Sequence, residues 1–312
     1  MWPIAGAILD EVDRLHPNVI DEIKQRIQAK PNAHLIATQN PNNPNHPIYT
    51  ELDFYTKMKD VHYQHFTLDD NPALSSEAKD KIIGRYDPES IFYKRFVLGQ
   101  RIVAENLIYN VRDWNVFDDL DVSKYIQYVI VADPGVNSSA TVFLLCAVTE
   151  GWEELHVIKE YWHRNADVTG LSVKMPIDYA NDYANFIKEC IVFMGGRYPE
   201  KIYTDTDITF ARELIQAFKR HEIANLKFQY AIKEEIEDRI KTDISLLWNK
   251  KLKFYSGCPY TINSFKTAEY EPKKAALGVF ERYDDPAMGT RIDAIDTTEY
   301  AISHYINRIY RK

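Results

Sequence analysis

Residues 128–145 read YVIVADPGVNSSATVFLL, and the fold turns on how this stretch is read. An apolar run stops at Asp133, Pro134-Gly135 turns the chain, and a second apolar run begins at Ala140. Around it lie IQYVIVAD, ATVFLLCAV and ELHVIKEYW, three consecutive apolar or alternating runs joined by short links. Such spacing predicts an antiparallel meander. Farther on come a long amphipathic helix over about 173–194, the strand KIYTD, the helix ITFARELIQAFKRH and the short strand KFQYAIK. Five strands with helices interleaved predict a mixed sheet covered on its faces by helices. Ile295, Ile302, Ile306 and Ile309 fall near one face of a final helix.

Toward the N-terminus, Ala7-Ile8-Leu9 is a short apolar run that ends in Asp10-Glu11. PNVIDEIKQRIQAK follows with Val19, Ile20, Ile23 and Ile27 at helical spacing, then the strand AHLIAT and a loop rich in proline and asparagine. The chain thus divides into residues 1–65, a mainly helical linker over 66–120 in which Ser75-Ser76 caps a helix, and a strand-rich part over 121–312.

Bulk properties set limits. The formal charge is −8, so no global positive field draws this chain to nucleic acid, and any such surface is local or supplied by bound metal and a partner. Cys146, Cys190 and Cys258 are odd in number and lie too far apart for zinc spacing. They point to a reducing cytoplasm without a disulfide framework. No apolar stretch has membrane-spanning length and the start shows no signal-peptide pattern, which excludes a membrane protein.

Three aspartates carry the chemistry: Asp133, Asp205 in KIYTDTDITFARELI, and Asp296 in RIDAIDTTEYAISHYI. Each has a plain structural alternative. Asp-Pro-Gly is turn chemistry in its own right. Thr206 or Asp207 caps the next helix. Asp296 borders a buried stripe, with Asp293 three residues earlier on the same side. Taken together, acids at two strand ends and on a helix able to pack beside both form an oxygen-ligand set for hard divalent cations. Two cations about 4 Å apart activate a water and stabilise the leaving oxygen in phosphodiester hydrolysis. Among the basic clusters, NKKLKFYSG with Lys250, Lys251 and Lys253 is the best candidate for an edge that contacts a DNA backbone near those acids.

Read in order, these segments resemble the large subunit of tailed-phage terminases, over nearly the whole chain. GAILDEVDRLHPNVIDEIKQRI resembles the acidic Walker B region of the terminase ATPase, and HLIATQNPNNPNHPIYT its coupling motif. FTLDDNPALS and FYKRFVLGQRIVAENLIY resemble the connection to the nuclease; VADPG, IYTDTD and IDTTEYA resemble the three acidic motifs of that RNase H-like domain. The resemblance implies a metal-dependent endonuclease that cuts concatemeric double-stranded DNA. Asp133, Asp205 and Asp296 would be its catalytic metal ligands for two Mg²⁺ or Mn²⁺ ions; Asp293 departs from the many relatives that have histidine there, and is either an additional ligand or a helix N-terminal acid favoured by the dipole. It further implies that Asp10 and Glu11 are the Walker B pair, that Thr38 and Asn40 are the γ-phosphate sensor, and that terminase small subunit and portal protein are partners in a bacterial host's cytoplasm.

One element is missing from the pattern. No G-x-x-x-x-G-K-[ST] loop occurs, so the nucleotide residues read as vestigial, ATPase activity is not expected, and the chain reads as a truncated gene product or an expressed fragment. Two rival expectations stand beside this one. Another RNase H-like nuclease, of transposase or resolvase type, shares the three acids but leaves ATQNPNNPNH and YKRFVLGQR unexplained. An inactive structural piece of the packaging motor is consistent with the net charge and the missing loop.

Overall fold

The apolar runs around Asp133 form strands because β-branched and aromatic residues dominate them, and their burial on both faces gives continuous rather than alternating hydrophobicity. A computed structural model describes residues 3–28, 32–42, 44, 48–49, 61–102, 107–135, 139–223, 226–277, 279–283 and 292–309. Parts of the coupling-like segment (43, 45–47 and 50) and of the connecting segment (103–106) lie outside the described residues. The chain separates into two compact units, Met1–Glu105 with Glu271–Glu281, and Asn106–Tyr270 with Arg282–Lys312.

In the first unit, β1 (Gly6–Leu9) and β2 (His34–Ala37) pair in parallel, joined by helix α1 (Pro17–Gln28). Leu9, Val12, Ile20, Ile48 and Tyr49 form its small core. Helix α2 (Ser76–Ile83) starts at Ser75, whose side chain accepts from the Ala78 amide at 3.2 Å. A π-helical turn spans Tyr93–Val97, and the Phe92 and Phe96 rings stack with centroids 6.1 Å apart.

The second unit is built on a mixed sheet in the order β3-β9-β6-β5-β4-β7-β8. Its members are β3 (Val116–Phe117), β4 (Tyr125–Asp133), β5 (Thr141–Thr149), β6 (Leu155–His163), β7 (Lys201–Thr204), β8 (Phe228–Tyr230) and β9 (Leu252–Tyr255). The predicted meander is present: β4–β5 and β5–β6 are antiparallel. β7 and β8 extend it in parallel on one side, as do β9 and β3 on the other. The expected count of five strands is corrected to seven among the described residues. β3 has two residues and β9 four, too short for periodicity to register.

Helices cover both faces. One face packs Ile130, Ala132 and Ile202 against α3 (Pro176–Phe193) and α4 (Ile208–Arg220). Asp207 caps α4, accepting from the Phe210 amide at 2.8 Å. Helix α5 (Ile236–Trp248) and helix α6 (Pro259–Thr267) precede the short α7 (Pro272–Ala276), which belongs to the first unit. The last helix, α8 (Asp293–Ile309), buries Ile295, Ile302 and Ile309 and packs on β4, β5 and β6. No described helix is long and apolar enough to cross a membrane.

Candidate functional site

Two neighbouring parallel strands bring the first pair of acids together. Ala132 and Thr204 are register partners of β4 and β7, and Asp133 and Asp205 are the next residue of each strand. The Asp205 amide donates to the Ala132 carbonyl at 3.2 Å. Because side chains alternate along a strand, the two acids project to the face opposite Ala132 and Thr204. Tyr203 marks that face, its hydroxyl 2.8 Å from His304 Nδ1 on α8. The acids therefore point toward the helix that carries Asp293, Asp296 and Tyr300, residues spaced three and four apart on one side of it.

The convergence shows in the electrostatics. Burial pushes the Asp133 carboxyl well above the usual carboxylate range; Asp296 adds to this, as do Asp205 and Asp293, while Lys233 works the other way. The Tyr300 hydroxyl donates to Asp133 Oδ1 at 3.2 Å. Its own acidity is suppressed by burial first, then by Asp133, Asp205 and Asp296.

Each acid is engaged by the protein. Asp205 accepts from the Thr206 amide at 2.6 Å and pairs with Lys233 Nζ at 3.3 Å. Asp293 accepts from the Tyr260 hydroxyl at 3.2 Å. Asp296 Oδ1 lies 2.9 Å from Nη1 of both Arg239 and Arg282. Both guanidinium groups also hold Glu299, and Arg282 reaches Asp243 at 3.5 Å and the Tyr109 hydroxyl at 2.9 Å. Burial and the charge of Glu299 push Asp243 up, with Arg282 opposing. Among the described residues, no three His, Cys, Asp or Glu side chains enclose a cation as they stand. The donor set is carboxylate oxygen throughout, which suits hard divalent cations. Burial and the like charges around Asp133 both disfavour its ionised form.

Beside the acids, Trp162 lies on the same face as Asp133 through the register Asp133–Val142–Trp162. Its ring stacks on Tyr260 with centroids 4.6 Å apart. Glu160 accepts from the amides of Tyr260 and Thr261 at 2.9 and 2.8 Å, which fixes the start of α6.

The lysines of NKKLKFYSG are placed differently from the sequence expectation. Leu252 pairs with Leu155 at the start of β6, whereas the acids lie level with Trp162 near its end. At about 3.3 Å per residue, the lysines sit roughly 20–25 Å along the sheet from the acids. The expectation of a basic edge near the acids is corrected for this reason. Lys251 donates to the Ile309 carbonyl, Lys253 pairs with Glu154, and Lys250 lies over Trp114.

In the first unit, Asp10 and Glu11 follow β1 and Thr38 follows β2. The Thr38 hydroxyl donates to Asp10 Oδ1, and their strands join through Thr38 N to the Leu9 carbonyl at 2.8 Å. Glu11 has a left-handed backbone with φ 47°, and Asn40 is in the segment beyond Thr38. Lys233, Arg239, Arg282, Glu299 and Tyr300 were not singled out by sequence; the only local signal is that Glu299 and Tyr300 follow Asp296 by three and four residues.

No protein-family model and no curated protein matches the sequence. Solved structures do match the fold. The large terminase from a thermophilic bacteriophage superposes with a TM-score of 0.76 at 23% identity, covering 97% of this chain and 69% of that one. The same terminase in complex with ADP gives 0.74 at 23% identity, over 96% and 69%. In complex with ATP-gamma-S it gives 0.75 at 22% identity, over 96% and 70%. The chain has the fold of a phage large terminase over nearly its whole length.

Proposed function

We propose that this chain is the nuclease-bearing part of a phage terminase large subunit, a metal-dependent endonuclease of DNA packaging that cuts concatemeric double-stranded DNA. The reading rests on one observation: two parallel strand ends and one helix direct Asp133, Asp205, Asp293 and Asp296 to the same face of the sheet, around a carboxyl that burial first and its acidic neighbours second hold high. Residues 121–312 are read as an RNase H-like domain, 66–120 as a linker, and 1–65 as the end of an ATPase domain.

Asp133, Asp205 and Asp296 serve as the catalytic acids that hold two Mg²⁺ or Mn²⁺ ions, with Asp293 as a further ligand. Bound there, the ions supply the charge that activates a water and stabilises the leaving oxygen. The chain's own residues prepare the site. Tyr300 orients Asp133 by its hydrogen bond. Arg239 and Arg282 fix the Asp296 carboxylate on the helix. The partial burial of Asp133, Asp205 and Asp296 lowers the local dielectric and strengthens each interaction.

Asp10, Glu11, Thr38 and Asn40 retain the Walker B and coupling positions. The hydrogen bond from Thr38 to Asp10 links the two. Contacts of Lys250, Lys251 and Lys253 with DNA would fall on backbone distant from the acids. Terminase small subunit and portal protein are the proposed partners, in the host cytoplasm.

The test is nicking of supercoiled plasmid in Mn²⁺ by the parent and by Asp133→Ala and Asp296→Ala. Nicking by the parent and loss in both variants is the expected outcome. Equal nicking by all three would assign the activity to a contaminant and sink the proposal.

A further inference from the structure

Lys233 follows the edge strand β8, two residues beyond Ala231, whose amide donates to the Thr204 carbonyl at 2.9 Å. That bond sets Lys233 beside the end of β7, where its Nζ meets Asp205 Oδ2 at 3.3 Å. The ammonium also lies 5.3 Å from the centre of the Tyr300 ring, on the residue whose hydroxyl holds Asp133. One cation thus pairs with the first strand-end acid and lies over the ring whose hydroxyl bonds the second. Its side chain is 41% exposed and Asp205's is 24% exposed, so this pair is the open one of the cluster. Lysine is suited to the position, being a compact charge on a flexible stem rather than a planar fork locked to one carboxylate.

We propose that Lys233 is a resident counter-cation for the acid cluster: it neutralises Asp205 in the metal-free protein, yields that carboxylate to an incoming divalent ion, and turns its ammonium to an anionic oxygen of the phosphodiester. The proposal rests on the nuclease reading and adds to it a group that competes with the metal and then serves the substrate. It predicts opposite signs for two properties that a purely structural lysine would move together. Loss of the ammonium leaves the acids of the metal-free protein less well balanced, yet removes a competitor for the ion.

The test uses the full chain as parent, Lys233→Met and Lys233→Arg. Mn²⁺ affinity is measured by titration calorimetry, the melting temperature of the metal-free protein by scanning fluorimetry, and the salt dependence of duplex DNA binding in Ca²⁺. Lys233→Met is expected to melt earlier without metal and to bind Mn²⁺ about two- to five-fold more tightly, the fold-change that an ion pair of this exposure commands. Its salt slope for DNA should fall by about one, the signature of one lost phosphate contact. Lys233→Arg keeps the charge and should match the parent in metal-free melting temperature and salt slope, while its fork holds Asp205 and the variant binds Mn²⁺ no more tightly than the parent. Unchanged or weaker Mn²⁺ binding by Lys233→Met, or an unchanged salt slope, overturns the proposal and leaves the nuclease reading standing. Failure of the parent itself to bind Mn²⁺ overturns both.

Discussion

Replacing Arg282 with methionine should be among the most damaging single changes in the second unit. The Arg282 side chain is 1% exposed and its guanidinium faces Glu299, Asp296 and Asp243, whose side chains are 4%, 25% and 0% exposed. Methionine fills similar volume but strands Glu299 and Asp243 in a dry interior, with only Arg239 left to share Glu299 and Asp296. Breaking a buried pair from one side costs about 3–5 kcal/mol, most of it the desolvation of the orphaned charge. For a unit of this size that is a fall in melting temperature of about 6–20 °C. The deficit should depend on pH with a definite sign. Asp243 is already raised by burial and by Glu299, and without the guanidinium that opposes this its folded pKa climbs further above the unfolded value of about 3.9. Stability tied to a raised carboxyl is present below the unfolded value and lost as pH rises through the folded one. The gap between parent and variant should therefore narrow from pH 8 toward pH 5. Adding Glu299→Gln removes one orphaned charge and should recover part of the loss. Urea unfolding of parent, single and double variants across that pH range is the assay. A single-variant cost under about 1 kcal/mol, or a double variant no better than the single, would refute the claim that these charges are held by each other.

Three further outcomes are expected. Asp133→Asn should stabilise the metal-free protein at neutral pH by about 0.5–2 kcal/mol, since the parent carboxyl is raised and its ionised form is the costly one; the gain should vanish as pH falls toward the unfolded value, and fluorimetry showing no gain at pH 8 would contradict it. Tyr300→Phe removes the donor to Asp133 Oδ1 and should cost about ten- to a hundred-fold in nicking rate or Mn²⁺ affinity with little change in melting temperature, because partners that orient a ligand matter on that scale. Gly135→Ala should destabilise by about 1–3 kcal/mol in urea titrations. A Cβ there would meet the Ser139 carbonyl oxygen at 2.4 Å and Ala140 backbone atoms at 2.5 Å, so the strand end bearing Asp133 must shift.

Gly135 also marks how far local sequence can be read. Asp-Pro-Gly is turn chemistry, yet the glycine is required by close backbone approach rather than by a left-handed φ. The meander is legible because β4, β5 and β6 are nine residues each, long enough for their apolar character to register. Helix Ile236–Trp248 escapes a sequence reading although Ile236, Ile240, Ile244 and Leu247 keep helical spacing, because the acidic EEIED at its start breaks up the apolar run. The acids are visible because each ends a run or opens a helix. Their partners are not: Arg239 meets Asp296 across 57 residues, and Lys233 meets Asp205 across 28. No local pattern encodes an ion pair formed only when β8, α5 and α8 meet on one sheet face.

Those partners give the acid cluster two unlike sides. On the helix side, Asp296 is gripped by Arg239 and Arg282, 17% and 1% exposed and tied together through Glu299. Opening that grip means desolvating fixed guanidinium groups and leaving buried carboxylates unpaired, which costs several kcal/mol. On the strand side, Asp205 is paired with one lysine that water already reaches, an interaction worth about 0.2–1 kcal/mol. A cation arriving at the cluster meets one wall that holds its shape and one that yields. On the proposed nuclease reading, entry through Asp205 would be the low-cost route, with Asp133 next along the sheet and Tyr300 already bonded to it. The arginine side would meanwhile keep Asp296 where the helix put it, so in the proposed site the rearrangement on metal binding falls on the lysine side.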